Sequence, residues 1–221
     1  MEHTIWVFIH VMLLVYWLGG DLGVFLLAKA AKRADLSFAE RAFALKMAIQ
    51  IDLIPRLCFT LMFPVGLQLS ASGGFIAVPT WVLASAWLAS AGWIGLLFAL
   101  GKAEGTPRAQ MLNRLHLTWQ SLLLLGLGTL GVLSLLDLGP LPGGWYGLKI
   151  LLFALIFAMS IGIDVAFRPI GPAFMRLATE GSQPDIEHTI STAVDGAIRY
   201  VLGLYALLIV IAFIGVTKLI F

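Results

Sequence analysis

The chain has 221 residues, of which 60% are hydrophobic and 12% charged, with 14 Lys and Arg against 12 Asp and Glu. Because an ordinary domain is about 25% charged, this composition excludes a soluble globular protein and predicts a polytopic membrane protein. The net charge of +2 provides no basic surface for nucleic acid, and the single cysteine, Cys58, excludes an intrachain disulfide and a CxxC redox pair.

Apolar windows predict an all-α bundle of six transmembrane helices. The predicted spans lie near residues 4–28, 47–70, 79–100, 115–136, 147–168 and 196–217. The first apolar stretch is longer than the core of about 7 to 15 residues of a cleaved signal peptide, so we expect this helix to be retained. No segment has the composition of a separate soluble domain, and residues 1–221 are predicted to form a single transmembrane domain.

The basic residues of the connections favour one orientation in the membrane. Segments 29–46, 101–114 and 169–195 contain most of the Lys and Arg outside the spans, whereas Lys149 and Lys218 fall on the opposite side. Because cytoplasmic loops are enriched in Lys and Arg, these segments are predicted to be cytoplasmic. Both termini would then lie outside, in the periplasm for a multi-pass protein of the bacterial inner membrane.

Two of the cytoplasmic segments are predicted to contain helical extensions of the spans. Ser37 followed by Glu40 has the spacing of a capping box, which indicates that the second helix begins about two turns before the membrane. An amphipathic segment at 182–194 precedes the sixth span in the same way.

Three Asp and Arg pairs with i,i+4 spacing lie in or beside the predicted spans. They are Asp52 with Arg56, Asp164 with Arg168 and Asp195 with Arg199. One interpretation is that each Asp only lowers the cost of placing its Arg near the interface. The other is that the pairs, with Asp21 and His116, form one charged layer in the cytoplasmic half of the membrane. Its Arg side chains would bind heme propionates or an anionic lipid headgroup through paired hydrogen bonds from their planar guanidinium groups.

A stripe of polar and aromatic residues follows the first helix. His3, His10, Trp17 and Asp21 are separated by 7, 7 and 4 residues, so they share one helix face that is predicted to point into the protein. His10 lies roughly two turns from the outer end, at ~1.5 Å per residue. A buried imidazole there is either a heme or copper ligand or a hydrogen-bonded structural histidine.

Other side chains are candidates to complete such a site. Met62 lies at a depth compatible with His10 and would give His/Met ligation, although methionines also fill gaps in packing. His116 lies in the other half of the membrane and would serve a second metal site. Lys149 either pairs with a propionate or extends to the interface. Pro55 and Pro64 predict kinks or helix ends beside the polar residues.

Three segments resemble the HemJ-type protoporphyrinogen oxidase and CopD-like membrane protein superfamily. Residues 9–27 resemble its first helix, in which a membrane His is followed by Trp and Gly. Residues 53–69 resemble its second helix, including an Arg and a Pro, and residues 143–155 resemble a helix with an early Trp and an inward Lys. With six spans instead of four, this chain would be a divergent member.

The resemblance implies a function and roles for particular residues. On the HemJ side it implies a heme b-binding redox membrane protein, with His10 as the ligand and Trp17, Arg56 and Lys149 near the cofactor. On the CopD side it implies copper uptake. Asp21 is not part of the superfamily pattern.

Three functional hypotheses follow from the sequence. The first is a heme b-dependent membrane redox protein, either an oxidase-like enzyme or an electron carrier, with quinone or porphyrin as its partner. The second is a copper or small-solute permease. The third is a non-catalytic subunit of a larger membrane complex; a homo-oligomer is also compatible with the sequence.

Overall fold

The computed structural model describes residues 1–103 and 105–218, and this part of the chain is helical without a strand. The helices are α1 (Glu2–Ala31), α2 (Phe38–Ser72), α3 (Thr80–Ala103), α4 (Pro107–Leu135), α5 (Gly144–Phe167), α6 (Ile170–Glu180) and α7 (Pro184–Thr217). Six helical segments are long and apolar enough to cross a membrane, with α5 and α6 counted as one. The predicted all-helical fold with six helices of spanning length is therefore confirmed.

Both predicted helical extensions are present. At the start of α2, the Ser37 backbone N–H donates to Glu40 Oε2 at 2.8 Å, and the Glu40 N–H donates to Ser37 Oγ at 3.4 Å. These reciprocal bonds form the predicted capping box. α7 begins at Pro184, well before the predicted span, and proline is favoured in the first turn because its missing N–H would have no partner there.

The prolines of the second helix do not end it. α2 continues through Pro55 and Pro64, so the expected helix ends are not found there. By contrast, α5 ends at Phe167, directly before Arg168 and Pro169. Proline stops or interrupts a helix through its missing N–H and its ring, and at Pro64 a hydrogen-bond donor from α3 offsets this effect.

The chain divides into two compact units. The first unit comprises residues 1–24 and 48–116, and the second comprises residues 25–47 and 117–218. In the first unit, α1 and α2 pack antiparallel, because Gly20 lies against Pro55 and Gly23 against Ile51. Gly20 permits this approach, since a Cβ built on it would lie 2.9 Å from the proline ring.

In the second unit, α5 and α7 also pack antiparallel. A Cβ built on Gly162 would lie 2.5 Å from the Tyr200 ring, and one built on Gly203 would lie 3.0 Å from Met159 Sδ. As the residue number rises along α5, the number of its contact on α7 falls by the same amount, which is the pattern expected of two antiparallel helices. Glycines on either helix bring the two backbones together, as is common between membrane helices.

The helix α6 was not predicted from the sequence. It lies in the segment interpreted as a cytoplasmic loop and buries Ile170, Ala173, Phe174 and Leu177. These residues form an apolar cluster with the end of α1, the start of α2 and the start of α7. The second unit therefore has a hydrophobic core outside the segments predicted to span the membrane.

Arg41 is enclosed in this cluster and is only 2% exposed. Its Nη1 and Nη2 donate to the two carboxylate oxygens of Glu187, both at 2.8 Å, and its Nε donates to the Ala31 carbonyl at 2.9 Å. The guanidinium also lies 5.8 Å from the centre of the Phe174 ring. The sequence places Arg41 in a segment predicted to be cytoplasmic, and the structure shows that its side chain links four helices.

Candidate functional site

The predicted stripe on α1 lies along α2 in the first unit. His3 Nδ1 is 3.3 Å from Ser72 Oγ. Two turns further along α1, His10 lies against Gly66, where a built Cβ would come within 3.4 Å of imidazole Cε1. Because Gly66 has no side chain, the His10 ring packs directly against the helix. The stripe thus faces protein, as its spacing predicts.

The thioether of Met62 lies on α2 near the contact between His10 and Gly66. Met62 is 7% exposed and precedes Gly66 by one helical turn, so both residues lie on the same face of α2. In the part of the chain that the structure describes, no group of three or more His, Cys, Asp or Glu residues could hold a metal ion. A heme needs only one or two axial protein ligands, and the donors at His10 and Met62 fit that requirement chemically.

An aromatic series continues inward from the stripe. Trp17 is 2% exposed and its ring centre is 5.0 Å from that of Phe59. Phe59 is 5.4 Å from Trp93 in an edge-to-face arrangement, and Trp93 is 6.0 Å from His116. Edge-to-face packing of this kind adds about 0.5–1.5 kcal/mol per pair beyond area burial. The series gives the interior of the first unit a well-defined packing.

His116 is 3% exposed and accepts a hydrogen bond at Nδ1 from Trp93 Nε1, at 3.1 Å. Indole N–H can only donate, so Nδ1 has no proton and the neutral imidazole has its proton on Nε2. A metal bound at Nε2 would require this hydrogen bond to be replaced, because metal-ligating histidines normally donate their other N–H. In this geometry His116 supports Trp93, and its role as a metal ligand stays a prediction.

Charged residues of the first unit lie together at one end of the stripe. Arg56 Nε donates to Asp52 Oδ2 at 2.5 Å, which is the predicted i,i+4 pair. Asp21 is 9% exposed and lies within electrostatic reach of both side chains. Asp52 is thus paired with Arg56, and Asp21 lies near this pair, where an isolated charge inside a membrane would be costly.

The other two predicted Asp and Arg pairs form different contacts. Asp164 accepts a hydrogen bond from Gln120 Nε2 at 3.1 Å, and Asp195 binds Lys32 Nζ at 2.5 Å and Ser191 Oγ at 3.2 Å. Their presumed partners, Arg168 and Arg199, are exposed and make no hydrogen bond or ion pair with any described residue. The Asp side chains of these two pairs are therefore bonded to donors on neighbouring helices or turns, and Arg199 still acts electrostatically on Asp195.

Lys149 lies in the second unit, on α5. A Cβ built on Gly215 would come within 2.7 Å of Lys149 Nζ, so the ammonium group lies beside the last turn of α7. Carbonyl groups at a helix C-terminus carry partial negative charge and attract a cation. The helix end alone thus accounts for the position of Lys149, and its role beside a cofactor stays a prediction of the resemblance.

The Thr60 carbonyl of α2, which lacks its usual helical donor, accepts a hydrogen bond from α3. Pro64 has no N–H, so it cannot form the helical bond to the Thr60 carbonyl. Ser90 Oγ donates to that carbonyl at 3.1 Å, and Ser90 is 4% exposed. This contact explains how α2 tolerates an internal proline near Met62.

We expect Ser90→Ala to destabilise the first unit by about 1–2 kcal/mol, because a buried carbonyl would lose its donor. Thermal unfolding in detergent measures the effect. Ser85→Ala is the matched control, since Ser85 is exposed and bonds only to Trp81 in its own helix. Equal melting temperatures for the two variants would contradict this role of Ser90.

The predicted site residues are divided between the two units. The first unit contains His10, Trp17, Asp21, Asp52, Arg56, Met62 and His116. The second contains Lys149, Asp164, Arg168, Asp195 and Arg199. Comparison of the chain with protein-family models, with curated proteins and with solved structures finds no match.

Proposed function

We propose that this protein is an integral membrane redox protein that binds heme b through His10. The observation that carries the proposal is the position of the His10 imidazole, between two helices of spanning length and against the bare backbone at Gly66. An imidazole in this setting is a ligand that heme iron commonly uses. Met62, buried one turn away on α2, is the proposed second ligand.

When bound, heme b would supply one-electron chemistry at its iron. The residues of this chain would hold and orient it: His10 as ligand, with Trp17 and Phe59 supplying apolar surface along the same helix pair. Arg56, in the same unit, is the proposed cation for a propionate or a substrate carboxylate, and its contact with Asp52 fixes its position.

We also propose a cellular setting. The distribution of Lys and Arg supports cytoplasmic placement of the charged segments, with both termini on the periplasmic side of a bacterial inner membrane. A heme protein in the membrane would exchange electrons with a lipid-soluble partner such as a quinone, or act on a porphyrin.

The test is the absorption spectrum of protein purified in mild detergent from heme-supplied cells. We expect a Soret band that sharpens and shifts on reduction. His10→Ala should lose most of the bound heme, whereas His3→Ala, on the same face of α1, should retain it. Met62→Leu should retain heme and change its reduction potential, because the axial ligand sets the potential.

Protein yield and circular dichroism show whether each variant is folded, so a loss of heme can be separated from a loss of structure. The proposal is wrong if folded wild-type protein has no Soret band or if folded His10→Ala binds as much heme. Stoichiometric copper without heme would instead support the CopD-like permease hypothesis.

A further inference from the structure

A groove of about 510 Å³ lies between α5 and α7 in the second unit. Its narrow part is formed by small residues on both helices, Gly162 and Ala166 on α5 and Ala193 and Gly196 on α7. A Cβ built on Gly196 would lie 3.3 Å from the Ala166 Cβ, so the helices are in close contact there. The groove therefore lies along the contact between the two antiparallel helices.

The side chains along the groove combine charge with apolar surface. His188, Thr192 and Arg199 lie along one face of α7, at spacings of 4 and 7 residues. Val165 and Tyr200 supply apolar and aromatic surface beside them. This combination suits a ligand with an anionic head and a hydrocarbon tail.

Among the described residues no carboxylate is bonded to Arg199, although its charge attracts that of Asp195. Asp195, one turn earlier, is bound by Lys32 at 2.5 Å and by Ser191 at 3.2 Å. The Arg199 side chain makes no hydrogen bond or ion pair with residues 1–103 or 105–218, and neither does that of Arg168, which precedes the groove residue Pro169. Two exposed guanidinium groups thus lie near the end of α5, one of them midway along α7.

The length of α7 places this end at a membrane interface. α7 extends from Pro184 to Thr217, about 50 Å at ~1.5 Å per residue, whereas the hydrocarbon core is about 30 Å thick. Arg199 lies about 27 Å from Thr217, so it reaches the level of the headgroups when the other end of α7 lies at the opposite interface. Arg168 immediately follows α5 on the same side.

We propose that this groove binds one anionic phospholipid, with its phosphate at Arg199 and an acyl chain along Val165 and Tyr200. Arg binds phosphate through paired N–H groups, which gives both affinity and orientation. The groove is not enclosed, as entry of a lipid requires. This lipid site belongs to the second unit and is independent of the proposed heme site.

Native mass spectrometry of delipidated protein tests the proposal. The protein in detergent is titrated with phosphatidylglycerol or with phosphatidylcholine of the same acyl chains. We expect tighter binding of phosphatidylglycerol and, in Arg199→Gln, a loss of about fivefold in its affinity. Arg176→Gln is the matched control, because Arg176 is already paired with Glu180 and Asp185, and it should bind as the wild type does.

Two further measurements separate the lipid from its phosphate alone. Thr192→Trp should obstruct the groove and weaken phosphatidylglycerol binding while leaving Arg199 in place. Inorganic phosphate at millimolar concentration should not compete. The proposal is overturned if both lipids bind equally, if Arg199→Gln and Arg176→Gln bind alike, or if inorganic phosphate displaces the lipid.

Discussion

Arg41→Ala is expected to lower the free energy of unfolding by about 3 kcal/mol, the largest loss among the single side-chain truncations considered. Removing one partner of a buried ion pair costs about 3–5 kcal/mol, because the remaining charge loses its compensation. Glu187 is 19% exposed, so water can partly solvate its carboxylate and the lower figure applies. The Ala31 carbonyl at the end of α1 would also lose a donor.

Thermal unfolding of the purified variants in detergent measures this effect. Arg33→Ala is the control, since the exposed Arg33 side chain bonds to Asp35 in the same turn and to no other described residue, and holds the pKa of that carboxyl below its usual range. Exposed pairs contribute little to stability, so Arg33→Ala should melt with the wild type. If Arg41→Ala also melts with the wild type, the buried ion pair does not stabilise the second unit.

Gly131→Leu should destabilise the protein by a similar amount, about 3 kcal/mol, through overpacking. A Cβ built on Gly131 would lie 2.7 Å from the backbone nitrogen of Leu151 and 2.8 Å from its Cα. Because these are backbone atoms, rotation of a side chain cannot relieve the clash. α4 and α5 would have to separate along their contact.

Gly126→Leu provides a control on the same helix. A Cβ on Gly126 meets nothing within 4 Å, and leucine is a better helix former than glycine by roughly 0.5–1 kcal/mol. We expect this variant to be as stable as the wild type or slightly more stable. A Gly131→Leu protein that melts together with Gly126→Leu would show that α4 and α5 do not require glycine at their contact.

Features set by local sequence could be predicted. The six long helices follow from apolar windows that exceed the thickness of a bilayer, and the capping box follows from the spacing of Ser37 and Glu40. The inward face of α1 follows from the spacing of its polar residues. The helix α6 could also have been found, because Ile170, Ala173, Phe174 and Leu177 recur at i, i+3, i+4 and i+7 in a short segment after a proline.

Contacts between distant parts of the chain could not be predicted. The i,i+4 rule indicates that Asp195 pairs with Arg199, yet its ion-pair partner is Lys32, which is 163 residues away in sequence. Similarly, the charge of Arg41 indicates that it lies outside the membrane, but it does not indicate which carboxylate the side chain binds. Its partner is Glu187, which is 146 residues away in sequence. Local spacing defines which residues share a face, but helix packing determines which partner that face meets.

Whether His10 holds a heme is tested most directly by ligand replacement. His10→Gly protein is purified from heme-supplied cells and its spectrum is recorded with and without added imidazole. The proposed function predicts that the variant lacks the Soret band and that free imidazole with heme restores it, because the small ligand occupies the place of the missing side chain. A folded His10→Gly protein with the same heme spectrum as the wild type, with or without imidazole, would contradict it.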